Sequence, residues 1–358
     1  MKERLLALRP WIIRFVGYPM FFMFWFLLFV YVTFPYDRLK EAIISQVENP
    51  RTPSGAAAPP SNMQLSIGEL GPTFLPGVRA KNVVLTLLPT KAGDHPTVMR
   101  MERVTAHVGL FSLLANTLNA EIGIQGMGGT IDTHIESALS GTRPGMRELR
   151  LRFDHVRVGE LAPVASMVGL PMAGQLDGTV ELHVPEGRVE RSSGTAHITI
   201  DDLRIGDGHS QYQIPRFGGV TVEQIRAGNL EGQVTIRDGV ATIDRLASRS
   251  TEFNFAMDGR VELATVLGQS SMNAGVRFQL TDAYRRKSEQ AGRIMLVMDT
   301  VPDLQSARRP DGMLAFRCRG TFERGLTCPP DTRGGGGRPA GAAGGGAFPA
   351  PARRGFEP

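Results

Sequence analysis

The sequence has few of the residues and none of the motifs that mark catalytic or metal sites. Its 358 residues include two cysteines and seven histidines, and the histidines are scattered singly. None of them has the H-x-x-x-H or H-E-x-x-H spacing that puts two metal ligands on one helix face. Neither a G-x-S-x-G elbow nor a P-loop occurs. We therefore expect no enzymatic activity, no metal site and no cofactor.

A dense basic stripe is also missing. The formal net charge is +5 and the pI is about 9.5, but lysine and arginine are spread along the chain. Nucleic-acid-binding domains cluster these residues on one face or interleave them with aromatic residues. We expect no nucleic-acid partner. The hydrophobic content of 42% is sufficient for a folded core, at a mean hydropathy of −0.10.

One long apolar run stands near the N-terminus. Residues 15–36 read FVGYPMFFMFWFLLFVYVTFPY and contain no charged residue. As a helix this run would be about 33 Å long, enough for a hydrocarbon core of about 30 Å. A cleaved signal peptide has a shorter apolar region and a small-residue cleavage site. A buried core helix would rarely be this apolar on every side over such a length. The run predicts one transmembrane helix over 15–36.

Basic residues flank this run on its N-terminal side. Lys2, Arg4, Arg9 and Arg14 precede it with only Glu3 of opposite sign, whereas the residues after it are mixed in charge. The positive-inside rule places residues 1–14 in the cytoplasm. We expect a single-pass protein of the bacterial inner membrane whose bulk lies in the periplasm.

The rest of the chain divides into three parts. Residues 37–62 predict a juxtamembrane helix, with Leu39, Ile43, Ile44 and Val47 on one face, and then a linker. Residues 63–328 contain short alternating runs such as VVLTLLP and GTVELHV, typical of a mainly β domain, with helical intervals at 110–118 and 159–169. Residues 329–358 are rich in Gly, Pro and Ala, which predicts a disordered tail.

Two Asp-Gly pairs in the β region behave differently. Around Asp238-Gly239 the apolar residues change from even to odd positions, so a two-residue turn would set Ile236 opposite Ala241. Around Asp258-Gly259 they keep odd positions throughout. We predict a hairpin turn at the first pair and a glycine inside a long strand at the second. A three-residue turn at the second pair would also restore the match.

The pattern apolar-x-Gly-x-apolar recurs along the chain at irregular spacing. A glycine inside a strand marks a bend, a bulge or the close approach of another surface. Repeated on one apolar face, it predicts long antiparallel strands that curl into an elongated trough. The candidate lining residues of this groove are Leu176, Gly178, Val180, Leu182, Leu230, Gly232, Val234, Ile236, Phe253, Phe255, Met257, Gly259, Val261 and Leu263.

The order of these segments resembles a known family. GLPMAGQLDGTVELHV (169–184), GTAHITIDDLRIGDG (194–208) and the run from QIPRFGG to GRVEL (213–263) follow one another as in protein N of the bacterial type II secretion system. More loosely, the chain is similar to AsmA-like envelope proteins, which share an N-terminal anchor and a curved sheet. The resemblance covers roughly residues 10–325. It lies in the alternation of apolar positions and in the placement of glycines.

The resemblance implies a structural or accessory role in exporting folded proteins across the outer membrane, with other secretion-system envelope proteins as partners. The AsmA-like side implies an alternative, in which the trough shields the tails of phospholipids and assists their transfer. A plain envelope tether with neither role is a third hypothesis. No catalytic or ligand residues are carried over from either family.

Cys318 and Cys328 would both lie in an oxidising compartment if the chain is anchored as above. They would then close a short loop that holds the last strand before the tail. Because Cys318 is on the apolar face, a buried free thiol is the alternative. Their spacing matches no metal or redox motif.

Overall fold

The computed structural model describes residues 17–49, 63–73, 77–88, 97–109, 112–113, 115–140, 145–161, 170–209, 211–214, 218–221, 223–323 and 325–331. The expected linker after residue 50 and the tail beyond residue 331 lie outside the described residues. So do residues 1–16 and most of the predicted helical interval 159–169, which begins with a 3-10 turn at Val158–Glu160. The other predicted helical interval, 110–118, overlaps strand β4, which starts at Thr117.

Two helices open the described chain. Helix α1 spans Tyr18–Thr33, and helix α2 spans Tyr36–Glu48. Phe34 and Pro35 separate them, so the apolar run predicted as one span over 15–36 is interrupted before its end. None of the helices described in the structure is both long enough and apolar enough to cross a membrane.

The rest of the described chain is mainly β. The first eight strands are β1 (Met63–Thr73), β2 (Gly77–Leu87), β3 (Thr97–Val108), β4 (Thr117–Gly126), β5 (Gly129–Ala138), β6 (Gly145–Arg157), β7 (Met172–His183) and β8 (Ser193–Ile205). The other eight are β9 (Gln211–Ile214), β10 (Gly218–Thr221), β11 (Ile225–Arg237), β12 (Val240–Arg249), β13 (Phe253–Glu262), β14 (Ser271–Leu280), β15 (Leu314–Thr321) and β16 (Gly325–Thr327).

Fourteen of these strands form one curved antiparallel sheet in which neighbours in the chain are neighbours in space. The order is β1 to β8, then β11 to β16, and the hairpin β9–β10 stands apart as a two-stranded sheet between β8 and β11. The sheet is open, with β1 and β16 at its edges. The expectation of a mainly β, curved antiparallel sheet with few helices is confirmed.

The first Asp-Gly pair is the β11–β12 turn, as predicted. Ile236 pairs with Ala241, and Arg237 with Val240. Asp238 and Gly239 both have positive φ, 49° and 72°. This is the conformation of the two-residue turn whose twist matches that of the flanking strands.

The second pair lies inside β13, also as predicted. Gly259 pairs with Ile243 on one side and with Ala274 on the other. A Cβ atom built on Gly259 would lie 2.5 Å from the Cα of Ala274. Glycine is therefore required here because the backbone of β14 comes too close for any side chain.

Register shifts bend several strands. In β12 the pairing with β13 shifts between Ile243 and Leu246, and in β6 the pairing with β7 shifts between Phe153 and Val156. His155, inside the second shift, has a φ of 54°. An extra residue on one strand of a pair bends that strand and increases its twist, which accounts for the curvature of the sheet.

A disulfide fastens the last strand at the C-terminal edge of the sheet. Cys318 in β15 and Cys328, just after β16, form a disulfide. The residues beyond it stay on the same edge, because the N–H groups of Arg317 and Asp331 donate to Pro329 and Ala315 at 3.0 and 2.9 Å. Strand β16 has only three residues, and so short an edge strand discourages pairing with other chains.

Three further helices lie between β14 and β15, where the sequence pattern indicated none. They are α3 (Asp282–Arg285), α4 (Glu289–Thr300) and α5 (Pro302–Ala307). Tyr284 of α3 and Ala291 of α4 are fully buried in a cluster with Leu230 and Phe253 of the sheet.

Replacing Gly259 tests the close approach of β13 and β14. Gly259→Ala is expected to destabilise the protein by about 1–3 kcal/mol, the cost of inserting atoms where no space exists. Gly275→Ala in β14 is the matched control, since its Cβ would meet nothing nearer than Asp258 at 3.6 Å. That change should be neutral or stabilise by about 0.4–1 kcal/mol. Urea unfolding of both variants would measure this, and equal effects would contradict it.

Candidate functional site

One face of the large sheet is apolar from β1 to β15. Directly paired residues of antiparallel strands point to the same face, so a row can be followed across the sheet through successive pairs. The central row runs through β1–β8 and β11–β15 without a polar residue. Its members are Leu70, Ala80, Val104, Ile124, Ile131, Phe153, Gly178, Ile198, Gly232, Leu246, Met257, Val276 and Phe316.

The predicted lining residues fall into adjacent rows of this face, linked through β8 and β12. Leu176, Leu230 and Phe255 share one row. The next three rows contain Gly178, Gly232 and Met257; then Val180, Val234 and Gly259; then Leu182, Ile236 and Val261. Phe253 lies at one margin, paired with Leu280, and Leu263 follows β13 at the other, where its N–H donates to Gly239 at 2.8 Å.

None of these predicted residues is exposed. Leu176, Leu230, Gly232, Ile236 and Phe253 are buried, and the rest are half-buried. The central row as a whole is mostly half-buried. The face is therefore neither a fully buried core nor a fully solvent-exposed surface.

No charged side chain belongs to this face on the strands that the structure describes. Its polar members are hydroxyl residues such as Thr133, which pairs with Leu151, and Ser248, which pairs with Leu230 and Phe255. We call this surface the apolar face.

The opposite face carries the charges. One of its rows passes through Glu121, His134, Arg150, Glu181 and Thr195. Many of its charges pair locally, as in Arg277–Asp258 at 2.9 Å and Lys81–Glu69 at 2.9 Å. Exposed pairs of this kind contribute little stability and keep the surface hydrated.

Two open cavities lie mainly on this polar face. One of about 500 Å³ is floored by Gly123 and lined by His107, His134, Arg152 and Asp132. The other, of about 1080 Å³, lies over β11–β14 and includes Arg245, Arg277, Asp258 and Asp311. Because both signs of charge line each cavity, neither indicates a ligand of one charge.

Helix α2 lies against one end of the apolar face. Ile43 and Ile44 pack on its cluster of β1–β7 residues, which includes Ile67 and Val83. Polar side chains of α2 also bind the free edge of β1: Lys40 Nζ donates to the Gly68 carbonyl at 2.9 Å. The N–H of Leu65 donates to Glu48 Oε1 at 3.4 Å. The helix that follows α1 is thus fastened to the start of the sheet.

Helices α3 and α4 cover part of the other half. Polar contacts hold them to Thr221, the last residue of β10, and to Glu223 and Gln224, ahead of β11. Tyr284 Oη donates to the Glu223 carbonyl at 3.1 Å, and Gln290 Nε2 donates to the Thr221 carbonyl at 2.9 Å. Lys287 Nζ lies 3.0 Å from Glu252 Oε2 and donates to the Gln224 carbonyl at 2.7 Å.

The titration of two groups reflects this packing. Burial, with the nearby carboxylates of Glu223 and Glu252, raises the pKa of Tyr284 to about 12. Burial alone would raise the pKa of Glu252. The N–H of Arg226, which donates to its Oε2 at 2.9 Å, and the Lys287 ammonium outweigh this, so that its pKa is lowered.

Aromatic rings concentrate at this half of the apolar face. Phe253 stacks with Phe255 at a centroid distance of 6.3 Å, and Phe278 stacks with Phe316 at 5.8 Å. The rings of Phe253 and Phe278 join the two pairs at 6.2 Å. Cys318 of the disulfide is also buried on this face, paired with Ala274.

One group of side chains on the polar side has metal-ligand chemistry. Ligand atoms of Asp154, His155 and Asp177 lie within 4.8 Å of one another. His155 Nδ1 is 2.7 Å from Asp154 Oδ1, and this bond, with the charge of Asp177, raises the pKa of His155. His155 lies between the two carboxylates at the surface, with its Nδ1 also 3.5 Å from Asp177 Oδ1, and these ion pairs account for the cluster without an ion. Sequence spacing could not reveal it, since the β6–β7 register brings Asp177 to the other two.

Comparison with known proteins gives no assignment. No family model matches the chain, and no curated protein or solved structure is significantly similar to it. The resemblance to protein N of the type II secretion system and to AsmA-like proteins therefore stays a prediction.

Removing the charge of Glu252 tests how α3 and α4 are held. At neutral pH, Glu252→Gln is expected to cost about 1.5–3 kcal/mol, the usual contribution of hydrogen bonds to a charged group. Since the folded-state pKa is lowered, this contribution is present above the unfolded pKa of about 4.3 and lost as pH falls through the folded value.

Urea unfolding at several pH values would measure the effect. The difference between wild type and Glu252→Gln should be constant near neutrality and shrink at acidic pH. Glu231→Gln is the control, because Glu231 is exposed and 3.8 Å from Arg245, so its removal should cost under about 1 kcal/mol. A difference that grows on acidification would contradict this account.

Proposed function

We propose that this chain is a membrane-anchored envelope protein whose apolar face shelters the acyl chains of membrane lipids. The observation that carries the proposal is the apolar face itself: rows of uncharged, mostly half-buried side chains that cross thirteen strands of an open, curved sheet. Soluble monomers rarely present a contiguous apolar surface of more than a few hundred Å², and larger ones mark contact with lipid or a partner.

The position of the helices favours lipid as the occupant. The described side chains of α1 are exposed and almost all apolar, with Phe22 and Met20 each 72% exposed. Apolar side chains exposed all around a helix are suited to contact with lipid. Helix α2 connects it to β1 and places Ile43 and Ile44 on the apolar face. An apolar surface would then continue from the membrane to the sheet.

The location that fits this role is the bacterial inner membrane, with a single span near the N-terminus and the sheet in the periplasm. The basic residues before the apolar run support that orientation. The Cys318–Cys328 disulfide also supports it, because such bonds persist in oxidising compartments.

A role in type II secretion is the second candidate. It rests on the order of segments between residues 169 and 263, which resembles protein N of that system. In this role the chain would be a structural or accessory component, with other envelope proteins of the machine as partners. Sheltering lipid and supporting a secretion complex are compatible roles for one protein.

A charge on the apolar face tests the lipid proposal. Val180→Lys places an ammonium in the row next to the central one, and Thr179→Lys places the same group on the polar face one residue away. We expect Val180→Lys to weaken binding of a fluorescent fatty acid about tenfold, since an unpaired charge among apolar groups is costly. Thr179→Lys should bind within about twofold of wild type. Circular dichroism would establish that both variants fold.

Two results would contradict the lipid proposal. One is equal binding of the fatty acid by the two variants, and the other is no binding by the wild-type protein in detergent. Equal binding would place the fatty acid away from the apolar face. Absence of binding would leave the apolar face to a protein partner.

Deletion of the gene tests the secretion role. Cells without the protein should accumulate folded exoproteins in the periplasm, and the full chain should restore their release. Activity assays on the culture medium and the periplasmic fraction would measure this. Unchanged release would rule the secretion role out and leave lipid binding unaffected.

A further inference from the structure

We infer that the apolar face holds more than one lipid at a time and selects them by their acyl chains, with little regard to the charge of the headgroup. This inference rests on the proposed lipid-sheltering function and adds the class of lipid and the capacity of the site.

The first argument is the absence of charge. No described strand contributes a charged side chain to the apolar face, so a headgroup placed there would lose its hydration without gaining a partner. The chains can lie on the face, and the headgroup has to remain at its margin, in contact with water.

The second argument concerns that margin. The β7–β8 turn carries two acidic and two basic side chains, Glu186, Glu190, Arg188 and Arg191, and Glu186 lies 3.5 Å from Arg188 and 3.9 Å from Arg191. Charges that neutralise one another at an exposed surface contribute little to the discrimination of a further ion. Anionic and zwitterionic headgroups should therefore be tolerated alike.

The third argument is length. The central row crosses thirteen strands, which at about 4.8 Å between neighbours extends over about 58 Å. The acyl chains of one leaflet occupy about half of a hydrocarbon core of about 30 Å. Chains laid along the row would fill only a part of it. Helix α2 lies against one end of the face and α3 and α4 cover part of the other half, so the room for a second lipid lies between these helices.

The experiment uses the full chain in detergent. It is incubated with equal amounts of phosphatidylethanolamine and phosphatidylglycerol of identical acyl chains and examined by native mass spectrometry. We expect species with two or more lipids per protein, and the two headgroups bound in the supplied ratio within about twofold. At most one lipid per protein, or a preference above about fivefold for one headgroup, would overturn the inference while the proposed function stands. Absence of any lipid would overturn both.

A pair of variants separates lipids on the apolar face from lipids around α1. Ile198→Lys puts a charge in the middle of the central row, and His197→Lys puts one on the polar face beside it. Ile198→Lys should lower the maximum number of bound lipids without abolishing binding, and His197→Lys should leave it unchanged. If neither variant lowers the number, or both lower it equally, the lipids lie elsewhere and the inference fails.

Discussion

Antiparallel register is the constraint on which the rest of this structure depends. Directly opposed residues share a face, so each strand must enter the sheet in the one phase that aligns its apolar positions with those of its neighbours. A slip of one residue at any ladder would turn a charged row toward the apolar face. The central row, from Leu70 of β1 to Phe316 of β15, shows that this phase is maintained across thirteen strands.

Glycines and bulges reconcile that register with curvature. Where β13 and β14 approach most closely, Gly259 omits the side chain that would collide with Ala274. Where β6 and β12 bend, an extra residue absorbs the change in direction, and the apolar phase resumes at Val156 and at Leu246. The result is a curved sheet that keeps its two faces chemically distinct, and the proposed acyl-chain site depends on this separation.

The helices and the disulfide cover the two edges and part of the apolar face of the sheet. Side chains of α2 bind the free backbone of β1, and the disulfide holds the last strand against β15. Helices α3 and α4 cover the aromatic part of the apolar face, but their polar contacts go to Thr221, Glu223 and Gln224, and to Glu252. The face between these covers is lined by half-buried side chains, consistent with a surface that receives a ligand.

Alternation with period two determined much of this from the sequence alone. It placed the Asp238-Gly239 turn and the in-strand Gly259, and it identified residues that share a face, because side-chain direction in a strand is a local property. Only the tertiary structure decided which strands are neighbours, where the ladders shift, and that the rows meet in one uncharged face. These depend on long-range pairing. Helices α3–α5 and the Asp154–His155–Asp177 cluster were missed for the same reason: contacts with residues distant in the chain position them.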